Sequence, residues 1–392
     1  MKILSVNAGS STLKFQMYEM PEEKVLISGN FERVGIDNSF YTIKFGGEKI
    51  KKEAVLKNHG DAVRILCDEL VSNKIVSNLD EIEAVGHRMV HGGEEYASSV
   101  IIDDDVIKTV RGLIPLAPLH NPANLMGIEA FKEIVPSAKN VGVFDTAFHQ
   151  TLPKEAYLYA VPYEWYEKYG VRKYGFHGTS HKFVSQRMNE ILGRDDTKII
   201  TCHIGSGGSV SAVVNGKSVD TSLGFTPNSG IMMGTRSGDI DYSMIPYVMD
   251  KAGISLEEVD NALNRKSGLA GISGVGSDLR DVEAGIKNGD EMCKLAFDMY
   301  VRKIASYIAE YYVLIGGCDA IVFTAGAGER SPLMREKVME KLSVLGVKAD
   351  PELNKAFGEE SLVSSKDSKI PVWTIPTDEE LMIARDTYEL VK

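Results

Sequence analysis

Apolar positions in the first half of the chain group into short runs that stop at small or polar residues. Lys2 to Val6 is one such run. It breaks at Asn7-Ala8-Gly9-Ser10 and resumes from Leu13 to Tyr18, so a strand, a tight polar turn and a second strand are expected. Val63, Leu66, Cys67, Leu70 and Val71 recur at helical spacing over 61–74. Glu83 to Val90 reads as a strand running into His91-Gly92-Gly93, and Asn140 to Phe144 as another that ends on Asp145. Strands and helices alternate beyond that point, which favours an α/β architecture.

The second half opens in the same way. Lys198 to His203 is a strand pattern broken at Gly205-Ser206-Gly207-Gly208-Ser209, and Val210 to Val214 returns to Asn215-Gly216, the dipeptide of a two-residue hairpin. Ala320 to Thr324 meets Gly326-Ala327-Gly328-Glu329 much as Val85 to Val90 meets Gly92-Gly93. Two halves with matching glycine turns suggest a duplicated domain with the active site between the copies. A long amphipathic helix is expected from Glu291 to Leu314, with Phe297, Val301, Ile304, Ile308 and Tyr311 on one face and Gly316-Gly317 at its end.

Composition changes the picture mainly by exclusion. The 392 residues carry 44 Lys+Arg against 55 Asp+Glu, a formal charge of −11, which argues against duplex nucleic acid as the main partner. Four cysteines, Cys67, Cys202, Cys293 and Cys318, lie far apart with no CxxC pair, so neither a disulfide framework nor a Cys-rich zinc site is indicated. No apolar run approaches the roughly 18 residues of a membrane span, and the start, MKILSVNAGSSTLK, turns polar too soon for a secretory signal. The expectation is a cytoplasmic, globular protein of two to three domains, at about 150 residues per domain.

Three glycine-serine turns, 7–12, 205–209 and 326–329, could offer backbone N–H groups to an anion. None fits the P-loop or the Rossmann fingerprint. Lys14 lies on the strand leaving the first turn, where it points back at a bound phosphate or is an ordinary solvated lysine. Arg88 sits among apolar residues late in a strand, suited either to an internal ion pair or to bidentate binding of a carboxylate or phosphate. In Tyr174-Gly175-Phe176-His177-Gly178-Thr179-Ser180-His181, Thr179 or Ser180 can cap a following helix, which leaves His177 in the loop before it. Arg236, in Met233-Gly234-Thr235-Arg236-Ser237-Gly238-Asp239, is held by glycines on a short loop and can be aimed at a transferring phosphoryl group. Thr377 and Glu380 form a capping box for the last helix, leaving Glu379 as a candidate hard-oxygen ligand, direct or through water, for Mg²⁺.

Read in order, these stretches resemble the acetokinase (acetate kinase) family. Ile3 to Lys14 fits its N-terminal signature and GHRMVHGG at 86–93 its second. PLAPLHNP at 115–122, FDTAFHQT at 144–151, GFHGTSH at 175–181 and MGTRSGDID at 233–241 are further family blocks. The resemblance runs from residue 2 to about 386. It implies two ribonuclease-H-like domains of the acetate and sugar kinase, Hsp70 and actin superfamily with ATP between them, divided as 1–149 with 381–392 against 150–380. The implied activity is reversible, direct in-line transfer between ATP and acetate, giving acetyl phosphate and ADP, with Mg²⁺ (or Mn²⁺) and as a homodimer.

Carried over by residue, the resemblance associates Asn7 and Glu379 with the metal, and Ser10, Ser11, Thr12 and Lys14 with the phosphates. Arg88 and Arg236 would grip the substrate carboxylate and the phosphoryl group, with Asp145 and His177 completing the catalytic set. Val90, Leu119, Phe176 and Pro227 match the pocket for the methyl group. Nucleotide contacts would come from His203, Ile204, Gly205, Ser206 and Gly207, from Asp278, Leu279 and Arg280, and from Gly326, Ala327, Gly328, Glu329 and Arg330. Three places depart from the family pattern: Ser206 within HIGSG, Asp378 beside the metal ligand, and Asn228-Ser229 after Pro227. The nearest alternative is a propionate (short-chain fatty acid) kinase, and a more distant one an actin- or Hsp70-type ATPase, which needs no carboxylate chemistry.

Overall fold

The computed structural model describes residues 1–118 and 120–392, and the chain divides into two compact units, Met1–Gln150 with Asp378–Lys392, and Thr151–Thr377. Leu119 lies outside the described residues.

The first unit is built on β1 (Lys2–Ala8), β2 (Thr12–Glu19), β3 (Lys24–Glu32), β4 (Phe40–Phe45), β5 (Glu48–Glu53), β6 (Ile82–Met89), β7 (Val100–Ile101) and β8 (Lys139–Phe144). They form one sheet in the order β5-β4-β3-β2-β1-β6-β8-β7. The second unit carries β9 (Lys198–Ile204), β10 (Gly208–Val214), β11 (Lys217–Thr221), β12 (Ala320–Thr324), β13 (Ser361–Leu362) and β14 (Val372–Thr374), ordered β11-β10-β9-β12-β14-β13. The two sheets repeat one strand arrangement. In each, three consecutive strands pair antiparallel, and the first of them then pairs parallel with a later strand that is itself parallel to the next. The duplication read from the glycine turns is therefore one of topology.

Alternation along the strands sends side chains to opposite faces. In the first unit Leu4, Val6, Phe15 and Val85 join helices His59–Ser72 and Asn121–Ile134 on one side, while Ile3, Ala84, Val141 and Val143 meet the C-terminal helix Glu379–Val391 on the other. That helix comes so close that a Cβ on Gly86 would lie 2.3 Å from Thr387 Oγ1 and 2.6 Å from Ile383 Cγ2, so only glycine fits there. In the second unit the helix Glu291–Leu314 buries Phe297, Val301, Ile304, Ile308 and Tyr311 against Ile200, Cys202 and Phe323, as its periodicity predicts. Helix Gly178–Leu192 packs Val184 and Met188 on the opposite face against Ile199, Ala320 and Val322.

Three local expectations are corrected. Gly326-Ala327-Gly328-Glu329 is not a turn: β12 passes directly into a short helix, Ala325–Arg330, through a left-handed Ala325 at φ 65°. Neither Thr179 nor Ser180 caps its helix. The N-cap is His177 itself, at φ 56°, and both hydroxyl residues fall inside the first turn. The last helix starts one residue later than a Thr377–Glu380 box requires; Asp378 is the cap, its Oδ1 accepting from Leu381 N at 2.9 Å.

Candidate functional site

In the first unit the parallel strands carry the charges. Arg88, at the end of β6, donates through Nε (3.0 Å) and Nη2 (2.6 Å) to the two carboxylate oxygens of Asp145, which follows β8 and is 2% exposed. Nη1 reaches Asn7 Oδ1 at 3.3 Å, at the end of β1. A guanidinium has five N–H groups, and three are spent on these contacts, so two are left for a ligand. Burial pulls the Arg88 pKa down, but Asp145 and Glu379 more than offset it and hold the group protonated. The internal ion pair and the ligand-binding reading of Arg88 are thus compatible.

Glu379 opens the C-terminal helix as a half-buried carboxylate with no hydrogen-bond partner among the described residues. Burial pushes its pKa up, Arg88 and Lys14 oppose this, and Asp145 and Glu380 add to it, for a value of about 7. The Glu379 carboxylate and the Asn7 amide oxygen both interact with Arg88, and oxygen donors of these two kinds suit a divalent cation finished by water and phosphate. Lys14 lies across from Asn7 in the β1–β2 register. The turn between them is pinned by Gly9 N to Thr12 O (2.9 Å) and by His59 Nε2 on Gly9 O (2.7 Å), leaving Ser10 exposed and Ser11 half-exposed.

Sequence reasoning missed Asn124, which is buried in helix Asn121–Ile134. Its amide accepts from Val90 N (3.1 Å) and donates to Ala8 O (2.9 Å), joining the ends of β1 and β6. A polar residue just past PLAPLHNP was the only available signal. The neighbouring histidines are structural. His87 hydrogen-bonds Asn140 Oδ1 at 2.8 Å, and burial lowers the pKa of His87 and of His91 to about 4.

In the second unit, three buried side chains, Ser209, His181 and Thr201, build a relay behind His177. His177 Nδ1 and His181 Nε2 both meet Ser209 Oγ, at 2.8 and 2.7 Å, while His181 Nδ1 meets Thr201 Oγ1 at 2.7 Å. A hydroxyl has one proton to give, so at most one of the two ring nitrogens can accept from Ser209 and at least one must donate, which couples the two tautomers. His203 stacks on His177 with centroids 4.1 Å apart and is itself held by Ser180 Oγ at 2.8 Å.

Arg236 sits on a strapped loop. Met233 N bonds Arg236 O (3.1 Å), Leu269 N bonds Met233 O (2.9 Å) and Asp239 N bonds Gly230 O (3.0 Å). A Cβ on Gly268, at φ 64°, would be 2.1 Å from Met233 O, so glycine is what lets the strap close. Arg236 Nη1 donates to Pro227 O at 2.9 Å, and among the described residues no carboxylate pairs with it; burial lowers its pKa. Both Arg236 Nη1 and the His177 ring flank Gly207, lying 3.3 and 3.6 Å from where a Cβ would stand. Phe176 is buried and Pro227 half-buried close by in the chain, and Val90 is buried in the first unit.

A cavity of about 450 Å³ opens in this second unit. It gathers Gly205, Ser206, Asp278, Leu279, Arg280, Gly326, Ala327 and Arg330 from three separated stretches. Not every expected nucleotide residue reaches it. Ile204 packs in the core, Gly328 and Glu329 are buried, and Glu329 instead accepts from Thr377 N at 3.2 Å. The sequence reading missed the walls Leu269, Ser277, Glu283, Tyr300, Ser331 and Phe357.

A cavity of this volume falls in the range of small-molecule sites. The Arg236 guanidinium that flanks Gly207, with no carboxylate paired to it among the described residues, would be a liability unless an anion arrives to meet it. Together with the repeated five-strand core, this places the chain in the class of duplicated ribonuclease-H-like phosphotransferases. Comparison makes the assignment particular: the chain belongs to the acetokinase family, whose model matches residues 2–385. An acetate kinase of Bacillus cytotoxicus is 54% identical over 99% of this chain and 98% of its own length, and one of Geobacillus sp. 52% over the same shares. Among solved structures, acetate kinase from Porphyromonas gingivalis superposes with a TM-score of 0.95 at 46% identity over 100% of both chains. A propionate kinase from Francisella tularensis gives 0.94 at 41% over 99% of both.

Proposed function

We propose that this protein is an acetate kinase, catalysing Mg²⁺-dependent, reversible in-line transfer of a phosphoryl group between ATP and acetate to give acetyl phosphate and ADP. The observation that carries the reading is Arg236, a half-buried cation without a counter-charge among the described residues, held on a strapped loop beside Gly207 and His177.

The chemistry follows from the residue types. A carboxylic acid of ordinary pKa is ionised at pH 7, so the nucleophile needs no general base. What needs help is the charge on the transferring phosphoryl group, and catalysis is mostly positioning and electrostatics. Arg88 offers its two uncommitted N–H groups to the acceptor carboxylate, while Asp145 fixes the plane of the guanidinium. Arg236 and His177 Nε2 meet the phosphoryl oxygens, and the relay through Ser209 and His181 keeps the His177 ring in one orientation. Asn7 and Glu379 would hold Mg²⁺, which when bound would neutralise phosphate charge; Lys14 and the turn at Ser10, Ser11 and Thr12 supply further donors. Of the residues that the family resemblance gives to the methyl group, Val90 and Phe176 are buried and Pro227 half-buried, each within its own unit. The nucleotide lies in the cavity lined by Gly205, Ser206, Asp278, Leu279, Arg280, Gly326, Ala327 and Arg330.

The proposal extends to a homodimer. Ile240, Tyr242, Met244, Tyr247 and Val248 crowd one short segment and are all exposed, Tyr242 to 80%; a contiguous apolar patch of this kind marks an association surface. Sedimentation of Tyr242→Asp tests it: a monomer supports the dimer face, an unchanged dimer refutes it. Four free cysteines fit a reducing compartment such as the cytoplasm, and among the described residues no helix is long and apolar enough to cross a membrane.

Acyl-hydroxamate formation from ATP, hydroxylamine and acetate, propionate or butyrate tests the activity. Hydroxamate with acetate at the highest kcat/KM is expected. Preference for propionate would move the assignment to a propionate kinase, and no hydroxamate with any of the three would end it.

A further inference from the structure

We propose that Phe357 is the stacking face for the nucleobase and that Arg335 is the positioning residue that holds it at the cavity. This rests on the reading that the cavity takes the nucleotide. Phe357 lines the cavity yet is 63% exposed, and among the described residues it stacks on no other ring. A single exposed phenylalanine on a loop needs no explanation; one whose chain neighbours on both sides are tied down does. On one side, Ala356 is buried and its carbonyl accepts from Arg335 Nη2 at 2.7 Å. On the other, Gly358 N donates to Glu329 O at 3.1 Å. Asn354, one turn earlier, gives both its carbonyl (2.8 Å) and its Oδ1 (2.9 Å) to the same guanidinium and donates to Pro332 O at 2.8 Å.

Arg335 is fully buried and, among the described residues, has no carboxylate partner. All its acceptors are uncharged oxygens. Its fourth contact, Nη1 to Gly328 O at 2.9 Å, reaches the helix Ala325–Arg330, which supplies Gly326, Ala327 and Arg330 to the cavity wall. One planar fork therefore joins that wall to the loop bearing Phe357, and burying a lone guanidinium for this purpose is otherwise costly. At Gly358, φ 73°, a Cβ would stand 3.3 Å from Arg330 Nε, so the loop and the Arg330 guanidinium lie against each other at the same rim. The Phe357 ring has no hydrogen-bonding group with which to read a sugar or phosphate. It does have a π-face, which every nucleobase can meet.

The test is ATP binding by calorimetry with the full-length protein, alongside steady-state kinetics. Phe357→Ala should raise the Kd for ATP about tenfold, within the range seen when a base–aromatic stack is removed, with KM for acetate within twofold of the starting protein. Phe357→Trp should restore it. Inorganic tripolyphosphate, which has no base, should bind Phe357→Ala and the starting protein equally. Arg335→Lys should raise the ATP Kd by a similar factor, and the double variant should show less than the product of the two effects. If Arg335→Lys does not fold, Asn354→Ala reads the same coupling. An ATP Kd within twofold in Phe357→Ala, or equal weakening of ATP and tripolyphosphate, overturns the stacking role; multiplicative effects overturn the positioning role. Ala327→Trp separates this from the parent reading. If filling the cavity abolishes ATP binding while Phe357→Ala does not, stacking alone fails; if Ala327→Trp binds ATP normally, the cavity assignment fails.

Discussion

Replacing Arg236 by alanine separates a functional cation from a structural one, because the two roles move stability and turnover in different directions. In the fold Arg236 makes one strong contact, Nη1 to Pro227 O at 2.9 Å, and no ion pair among the described residues. Losing a hydrogen bond from a charged donor costs about 1.5–3 kcal/mol. Removing the half-buried cation also removes the desolvation that lowers its pKa, which offsets much of that. The net change in unfolding free energy should therefore stay within about 1–2 kcal/mol. Turnover should fall about 10³-fold, the lower end for an arginine acting on a transferring phosphoryl group, equivalent to about 4 kcal/mol. KM for ATP should move far less. Urea unfolding and steady-state kinetics on one preparation measure both. Small, equal changes in kcat and KM would refute the transition-state role, and so would a variant that loses more than about 4 kcal/mol of stability yet keeps normal turnover in its folded fraction.

Other outcomes follow from the same geometry. Asp145→Asn removes the charge that the buried end of the Arg88 fork rests on; unfolding free energy should drop by about 3 kcal/mol and KM for acetate should rise. Ser209→Ala deletes the hydroxyl shared by His177 and His181, so kcat should fall about tenfold with KM for ATP nearly constant, and Ser209→Thr should recover part of it. His87 has a folded pKa of about 4, depressed by burial, against about 6.5 when unfolded. The unfolded chain therefore binds the extra proton between those values, and stability should fall as pH drops through that window. The share of His87 between pH 7 and pH 5 is about 2 kcal/mol, read as a shallower pH dependence of urea unfolding in His87→Gln.

Local pattern carried the strands because their alternation and their glycine breaks are both in the chain. β1, β2, β9, β10 and β12 fall within a residue or two of where periodicity puts them, and the helix Glu291–Leu314 matches to the residue. Arg88 was legible as a charge that needs a partner, but the partner, Asp145, becomes visible only when β6 and β8 pair in parallel. The capping errors have one cause. Thr377 and Thr179 are acceptable caps by residue type, yet the true start is set by tertiary register, Asp378 at one helix and a left-handed His177 at the other. The cavity walls were harder still. Tyr300 belongs to a helix face that periodicity assigns wholly to the core, and Phe357 to a loop with no pattern at all; only folding brings them to Ser206 and Gly326.

The central claim is that the phosphoryl group passes from ATP to a carboxylate rather than to water. ³¹P NMR of the protein with ATP, Mg²⁺ and acetate follows this directly. Acetyl phosphate should accumulate in step with ADP, and the resonance should be lost in Arg236→Ala. If ADP appears with inorganic phosphate alone, and acetate changes neither its rate nor the products, the protein is an ATPase and the account is contradicted.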